Sequence, residues 1–382
     1  MADEEERIAL LLENKKDRNR WRRRVITLVI VLVTSAIFTV IVDTLNDAGA
    51  FREIVEHAPG ECALVEGFSG GTEDMAPWYE RRGIFISSPD FLNPSHEGKI
   101  YWLSFKKGAK PEDITPKLDF PFQPHGIAFY NEGKTRKLYV VNHRNSTALP
   151  QNTETSSHAA KHTIEVFEVS KRGKLTYQKT LESPLLIAPN DVAAAGDDLL
   201  YVTNDHGWVS GIKRAAEDYL RLPNGNVLYY NGESFQIAYE GMRYPNGVLV
   251  DGDSVWVAQT TGLVISRLKP SNPAGTLTLA NEIEAHSGVD NLTIDEDGAL
   301  WSGAHPKLLD FVEHSKAPAQ NRSPSHVVRV TGSDENPQLR DLYMNLGDPL
   351  SGSSVAVHHD GLLFIGAVFD RAVLRCIGKR VK

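Results

Sequence analysis

Residues 190–205 have the sequence NDVAAAGDDLLYVTND. A polar pair, Asn190-Asp191, precedes alternating apolar residues, then a turn rich in Gly and Asp, then a second run of β-branched and aromatic residues. This order is typical of two antiparallel β-strands joined by a tight turn. The same pattern occurs five more times, and these units begin at Glu73, His125, Asn246, Asp290 and Ser353.

The six units begin 44 to 65 residues apart, a spacing that suits four-stranded blades with loops of variable length. Between residues 61 and 382 there is no long helical periodicity, and residues 226–240 (NVLYYNGESFQIAYE) predict a hairpin that turns at Asn231-Gly232. A β-sandwich does not need six similar units, and the β/α alternation of a barrel is absent. The sequence therefore predicts an all-β, six-bladed β-propeller.

Composition excludes several classes of protein. The chain has 382 residues, of which 41% are hydrophobic and 24% are charged, so a large folded core is expected and disorder is not. The formal net charge of −8 argues against nucleic acid as the main partner. With two cysteines, the chain can form neither a zinc ribbon nor a CxxC redox pair.

The N-terminal region predicts attachment to a membrane. Residues 1–24 hold eight Lys and Arg, and residues 25–42 are an uncharged apolar run (VITLVIVLVTSAIFTVIV) long enough to span a bilayer. Because the basic cluster precedes this run, we expect residues 1–24 in the cytosol and a signal-anchor at 25–42. Residues 43–60 would be a linker and residues 61–382 the propeller. A type II protein of the secretory pathway follows, with a cleaved signal peptide as the alternative.

A lumenal or extracellular location affects the interpretation of the cysteines and sequons. Cys62 and Cys376 lie near the two ends of the predicted propeller, so they are either a disulfide that joins its first and last elements or two unrelated buried thiols. The triplets at Asn145, Asn291 and Asn321 match the glycosylation sequon. We expect glycans at Asn145 and Asn321.

The starts of the first strands point to a binding site. In a propeller these strands line the central channel, so their corresponding ends converge at one mouth. The side chains there are mostly carboxylates and carboxamides, which are the hard oxygen ligands that suit calcium. Turn chemistry explains any one of them alone, but their recurrence at the same position in six units favours a site. They are Glu73, Asp74, His125, Asn190, Asp191, Asn246, Asp290, Asn291 and Ser353.

These stretches resemble the paraoxonase/arylesterase family of calcium-dependent lactonases. Nine motifs keep the order of that family from Cys62 to Cys376. They are GGTEDMA (70–76), PHGIAF (124–129), VVNH (140–143), APNDVAA (188–194), YVTNDH (201–206), YPNGV (244–248), VDNLTID (289–295), GAHP (303–306) and GSSVAV (352–357).

The resemblance implies two calcium ions, a ring-closing disulfide between Cys62 and Cys376, and a histidine dyad of His125 and His143. Residues 144–162 look longer than the corresponding family loop, so the substrate preference of the family is not carried over. If Asn291 is a calcium ligand, it should carry no glycan. The implied ligands of the catalytic ion are Glu73, Asn190, Asn246, Asp290 and Asn291, and those of the structural ion are Asp74, Asp191 and the main-chain carbonyl of Ile127.

Such a site predicts hydrolysis of lactones and aryl esters. Calcium would polarise the substrate carbonyl, and His125, supported by His143, would take a proton from the attacking water. Two rival functions remain at this stage. One is a membrane-tethered propeller that acts as a chaperone or interaction protein without catalysis. The other is a condensing enzyme similar to strictosidine synthase, although the intact Glu73-Asp74 and Asn190-Asp191 pairs argue against it.

Overall fold

The computed structural model describes residues 2–93, 95–144, 162–333 and 336–378. It forms two compact units, with the boundary between Asp47 and Ala48. The first unit is one helix, and the second unit holds the β-sheets.

The N-terminal unit is helix α1, Ala2–Asp47. Its part Arg18–Asp47 is long and apolar enough to cross a membrane, and no residue of its most apolar stretch is buried. The predicted anchor at residues 25–42 lies inside this part. A signal sequence has the same properties, so the type II anchor stays a prediction.

Within the residues that the structure describes, the second unit contains 24 strands in six four-stranded antiparallel sheets. The sixth sheet combines β1 (Gly60–Glu66) with the last three strands, β22 (Ser353–His359), β23 (Leu362–Ala367) and β24 (Ala372–Gly378). The first sheet is β2 (Asp74–Trp78), β3 (Gly83–Ser88), β4 (Lys99–Ser104) and β5 (Glu112–Asp113). The second is β6 (Pro124–Glu132), β7 (Thr135–His143), β8 (His162–Val169) and β9 (Leu175–Leu181).

The remaining three sheets follow in chain order. The third is β10 (Pro189–Gly196), β11 (Leu199–Asn204), β12 (Gly225–Tyr230) and β13 (Phe235–Met242). The fourth is β14 (Pro245–Asp251), β15 (Ser254–Gln259), β16 (Val264–Ser271) and β17 (Thr276–Glu284). The fifth is β18 (Gly288–Ile294), β19 (Leu300–His305), β20 (Ser325–Ser333) and β21 (Asn336–Asn345). This architecture confirms the predicted six-bladed propeller, including the hairpin of β12 and β13.

Apolar side chains between neighbouring blades form the core. Ile84 and Ile86 of β3 pack against blade 6, whereas Phe85, which points to the opposite face, packs against blade 2. The period-2 alternation of a strand therefore supplies two different interfaces. This explains why β3 is buried along its whole length and not at alternate residues.

The ring is closed by the N-terminal strand. β1 pairs with β24 as the outermost strand of blade 6, and Cys62 lies directly opposite Cys376 in that register. The two form a disulfide across 314 residues, as predicted. Two ends of the propeller chain are thus joined both by a strand ladder and by a covalent bond.

Two short helices, and the contacts of Ala48 and His57 with the propeller, were not predicted from the sequence. Helix α2 (Gly211–Leu220) connects β11 to β12, and helix α3 (Leu308–Lys316) connects β19 to β20. The predicted linker at residues 43–60 begins inside α1, and its later part contacts the propeller. Ala48 accepts a hydrogen bond from the main chain of Leu308, and His57 forms a bridge with Met344.

The ring closure can be tested with the double substitution C62S/C376S. We expect the free energy of unfolding to fall by about 2–4 kcal/mol, because the reduced unfolded chain is less constrained. Denaturant unfolding of both proteins, with and without reductant, measures this difference. Reductant should destabilise only the natural protein, and equal stability of the two proteins in its absence would contradict the assignment.

Candidate metal and histidine site

The six predicted strand starts all lie at the innermost strands of the blades. Glu73 immediately precedes β2, and the other five units begin inside β6, β10, β14, β18 and β22. In those five strands the pairing register shifts near the start, as between Pro189 and Val192 of β10. Such a bulge breaks the strict alternation of side chains. The side chains of consecutive residues such as Asn190 and Asp191 can then both point toward the centre of the ring.

Two glycines allow the inner strands to approach closely. A β-carbon at Gly126 would lie 2.4 Å from the Cα of Asp191, and one at Gly247 would lie 2.7 Å from the Cα of Asn291. No side chain fits in either place without a shift of backbone. The blades are therefore brought together at the positions that follow His125 and Asn246.

Hydrogen bonds and charge interactions link four of the five residues predicted to bind the catalytic calcium, and the fifth, Asn190, lies on the inner strand β10. Asn291 Nδ2 donates to Glu73 Oε1 at 2.9 Å, although the two residues belong to blades 5 and 1. Burial, and next the Glu73 carboxylate, raise the pKa of Asp290 well above its usual value, and the Asn246 amide lies beside it. All five side chains, including Asn190, are buried.

Each of the five has one polar atom held by a partner. Asn190 Nδ2 donates to Asp205, Asn246 Nδ2 donates to Thr260, and Nε2 of His305 bonds Asp290 Oδ2. The remaining oxygen of each is buried without a hydrogen-bond partner. In the described residues six buried side-chain oxygens are unpartnered, and five belong to this set: Glu73 Oε2, Asn190 Oδ1, Asn246 Oδ1, Asp290 Oδ1 and Asn291 Oδ1.

This donor set suits a hard cation. Only Glu73 and Asp290 are carboxylates, and within the described ranges no three His, Cys, Asp or Glu side chains make up a metal-binding group by themselves. Mixed carboxylate and amide oxygens are the ligands that calcium accepts. Buried oxygens normally have partners, so five together indicate a common one.

Asp74 and Asp191 form a second, adjacent pair of carboxylates. Asp74 Oδ2 accepts from the main-chain N–H of Ile127, and Asp191 Oδ2 accepts from that of Val248, both at 2.7 Å. Burial and Glu73 raise the pKa of Asp74 to about 8, and burial and Asp74 raise that of Asp191. Both carboxylates therefore link neighbouring blades. Whether they also bind a structural calcium with the carbonyl of Ile127 stays a prediction.

The predicted histidine dyad is present beside this cluster. His125 Nε2 lies 3.3 Å from Glu73 Oε1, and its Nδ1 is hydrogen-bonded to His143 Nε2 at 2.8 Å. Burial acts to lower the pKa of His125, but Glu73 raises it to about 8. Burial and the neighbouring histidines lower the pKa of His143 well below its usual value.

A third histidine, His162, was not predicted from the sequence. Its Nδ1 lies 2.7 Å from Nδ1 of His143, and burial lowers its pKa to about 4. His162 begins β8 and is the register partner of His143 at the end of β7. The contact of His162 with His143 could have been predicted from the sequence only by pairing the ends of β7 and β8 as neighbouring strands.

Other polar residues orient the cluster. His206 bonds Asp205 at 2.6 Å and Asp218 of α2 at 2.7 Å. Burial acts against its charge, but these carboxylates raise the pKa of His206 to about 9. Asp205 in turn accepts from the amide of Asn190. His206 thus fixes the carboxylate that orients a predicted ligand.

Three phenylalanines from loops and α3 adjoin the site. Phe91 meets His125 edge-on at 5.3 Å between ring centres, Phe311 stacks on His305 at 3.7 Å, and Phe369 contacts both phenylalanines. The strand pattern could not reveal them because they lie outside the strands. They place an apolar wall beside the polar cluster.

The sequons differ in their surroundings. Asn291 is fully buried, so it cannot be glycosylated in the folded protein. Asn321 is half-buried, and its amide donates to the main chain of Glu313. Asn145 lies outside the described residues. Glycans at Asn145 and Asn321 stay predictions.

The fold and site define a six-bladed propeller with an oxygen-lined polar centre and adjacent histidines. The sequence model named Arylesterase matches residues 53–377. The chain therefore belongs to the arylesterase family, and the resemblance noted from its motifs is confirmed.

Comparisons with individual proteins agree with this assignment. The chain is 32% identical to mouse (Mus musculus) serum paraoxonase/arylesterase 1 over 340 residues, which is 85% of this chain and 91% of that protein. It is 28% identical to rabbit (Oryctolagus cuniculus) serum paraoxonase/lactonase 3 over 350 residues, or 87% and 93%. Among solved structures, a luciferin-regenerating enzyme matches with a TM-score of 0.50 and 12% identity, covering 84% of this chain and 97% of that one. That last likeness concerns the fold alone.

The close approach of blades 2 and 3 can be tested with Gly126→Ala. The added methyl would meet the backbone of Asp191, so we expect an unfolding free energy lower by about 1–3 kcal/mol. Thermal unfolding measures the loss. The matched control is Gly196→Ala on β10, where a β-carbon meets only the flexible side chain of Leu199 at 3.1 Å. Equal stability of the two variants would argue against the tight contact.

Proposed function

We propose that this protein is a calcium-dependent hydrolase of carboxylic esters and lactones. The observation that carries the proposal is the group of five buried, unpartnered oxygens from Glu73, Asn190, Asn246, Asp290 and Asn291. Membership of a family whose named relatives include arylesterases and a lactonase supports the reaction class.

The five residues would hold the ion through the oxygens that have no other partner. Bound there, calcium would act as a Lewis acid on the substrate carbonyl and stabilise the oxyanion. The partners Asp205, Thr260 and His305 keep the amides and the Asp290 carboxylate turned toward that position. Asp74 and Asp191 are proposed to hold a second, structural ion with the carbonyl of Ile127.

His125 is the proposed general base. Its Nε2 is directed at the cluster, 3.3 Å from Glu73, where it can take the proton of an attacking water. Its other nitrogen is held by His143. The wall of Phe91, Phe311 and Phe369 would pack against the apolar part of an aryl ester or lactone.

We further propose a type II topology, with the propeller in the lumen or outside the cell. The basic residues before the apolar part of α1 support a cytosolic N-terminus. The disulfide between Cys62 and Cys376 is compatible with an oxidising compartment.

Calcium dependence can be tested on the full chain in detergent, with phenyl acetate and a panel of γ- and δ-lactones as substrates. We expect hydrolysis in calcium, its loss in EDTA, and a thermal unfolding midpoint that rises with calcium. An ion present at a hundred times its Kd adds about 2.7 kcal/mol of stability because it binds only the folded state.

The variant Asp290→Asn should lose both the activity and the calcium-induced rise. Its matched control is Asp253→Asn, an exposed carboxylate that pairs with Lys269 on blade 4. A natural protein that is stabilised by calcium but inert toward every substrate would favour the non-catalytic propeller. A protein indifferent to calcium would refute the metal site.

The role of His125 can be tested separately with His125→Gln. We expect kcat to fall by about 10²-fold or more, because a positioned general base is lost, while calcium still raises the unfolding midpoint. The control is His57→Gln, since His57 bridges the outermost strand of blade 5. Unchanged kcat in His125→Gln would remove the assignment of the base and leave the metal site intact.

A further inference from the structure

Three imidazoles are hydrogen-bonded in series beside the oxygen cluster. His125 bonds His143 at 2.8 Å, and His143 bonds His162 at 2.7 Å with the two rings nearly perpendicular, at 88°. His143 uses both of its nitrogens, Nε2 toward His125 and Nδ1 toward His162. The middle ring is thus held from two sides.

While His125 is neutral, the series has only two possible directions of hydrogen bonding. Neutral His143 carries one proton, so it donates to one neighbour and accepts from the other. In the outward direction His125 donates from Nδ1 to His143, and His143 donates from Nδ1 to His162. In the inward direction both bonds are reversed, and the proton of His125 is then on Nε2.

Only the outward direction allows His125 to act as a base at Nε2. In it the Nε2 lone pair faces the cluster, and after protonation the Nδ1–H of His125 still donates to His143 without any rearrangement. In the inward direction Nε2 already carries a proton and cannot take another. Glu73 Oε1 also accepts from Asn291 at 2.9 Å, so it keeps a hydrogen-bond donor when Nε2 of His125 carries no proton.

The outward direction requires an acceptor at the end of the series. Nδ1 of His162 is that acceptor when its proton is on Nε2. His162 is half-buried, and Nε2 is not among the buried atoms that lack a partner. Burial lowers the pKa of His143 well below its usual value and that of His162 to about 4, which favours the neutral form of both rings.

The strand ends that carry these two rings are firmly held. The buried Glu165 accepts from Asn142 at 2.9 Å, from Thr163 at 2.7 Å and from Arg144 at 2.7 Å. Asn142 adjoins His143 in the chain, and Thr163 adjoins His162. This network fixes the register that places the two rings in contact.

We propose that His162 is a positioning residue that fixes the tautomer of the His125–His143 dyad by accepting the proton of His143 Nδ1. The inference rests on the proposed hydrolase function and deepens it. His162 does not touch the reacting atoms. It acts through His143, in the way that the third member of a catalytic triad orients its base.

The test compares three substitutions at residue 162 in the full chain with calcium, using the ester or lactone that the natural protein hydrolyses fastest. His162→Gln provides a carbonyl acceptor, His162→Lys provides only donors, and His162→Ala provides neither. We expect kcat near that of the natural protein for the Gln variant, at least about ten-fold lower for Ala, and as low or lower for Lys. KM should stay within about two-fold throughout, because the substrate contacts are unchanged.

Each result bears on the inference. Equal kcat for the Gln and Lys variants, or an undiminished kcat for Ala, would overturn it, since a role in packing alone does not distinguish acceptors from donors. Thermal unfolding verifies folding, and should the Ala variant not fold, the contrast between Gln and Lys decides. A natural protein that hydrolyses none of the substrates overturns the proposed function and the inference with it, whereas an active natural protein isolates the role of His162.

Discussion

Among the described residues, five buried oxygens with no hydrogen-bond partner belong to side chains at the starts of the inner strands of the propeller. A buried polar atom left unpaired costs about 1–3 kcal/mol, so five would cost an amount similar to the whole stability of a domain. A divalent cation resolves this conflict, because one ion can be the partner of all five. On this proposal the ion stabilises the ring at the same place where it serves the reaction.

The propeller is suited to such a centre because its blades are held in a closed ring. Apolar strands such as β3 supply both neighbouring interfaces, and β1 completes the last blade through its ladder and its disulfide with β24. The ring holds carboxylates close to one another although their charges repel. Asp74 and Asp191 show how the charge is partly balanced, since each accepts main-chain N–H bonds from the next blade.

Polar side chains around the site orient the residues that are predicted to bind the ion or act on the substrate. Asp205, Thr260 and His305 each hold one atom of a predicted ligand, and His206 holds Asp205 in turn. The histidine series follows the same logic, with His162 at its outer end. In each case a side chain that does not touch the proposed ion or substrate decides which atom of an inner residue is available to it.

The sequence by itself determined the number of blades, the positions where the inner strands start, and the types of polar residue at those starts. These features follow from the alternation of apolar and polar residues along each strand and from a repeat of neighbouring residues in the chain. The sequence also placed Cys62 and Cys376 at the two ends of the ring. Only the tertiary structure shows the bulge in β10, near which the side chains of both Asn190 and Asp191 are buried. It likewise decided that His162 meets His143 and that Phe91 and Phe369 meet beside them. Those contacts join loops and strand ends whose neighbours are set by the closure of the ring, and no periodicity along the chain records them.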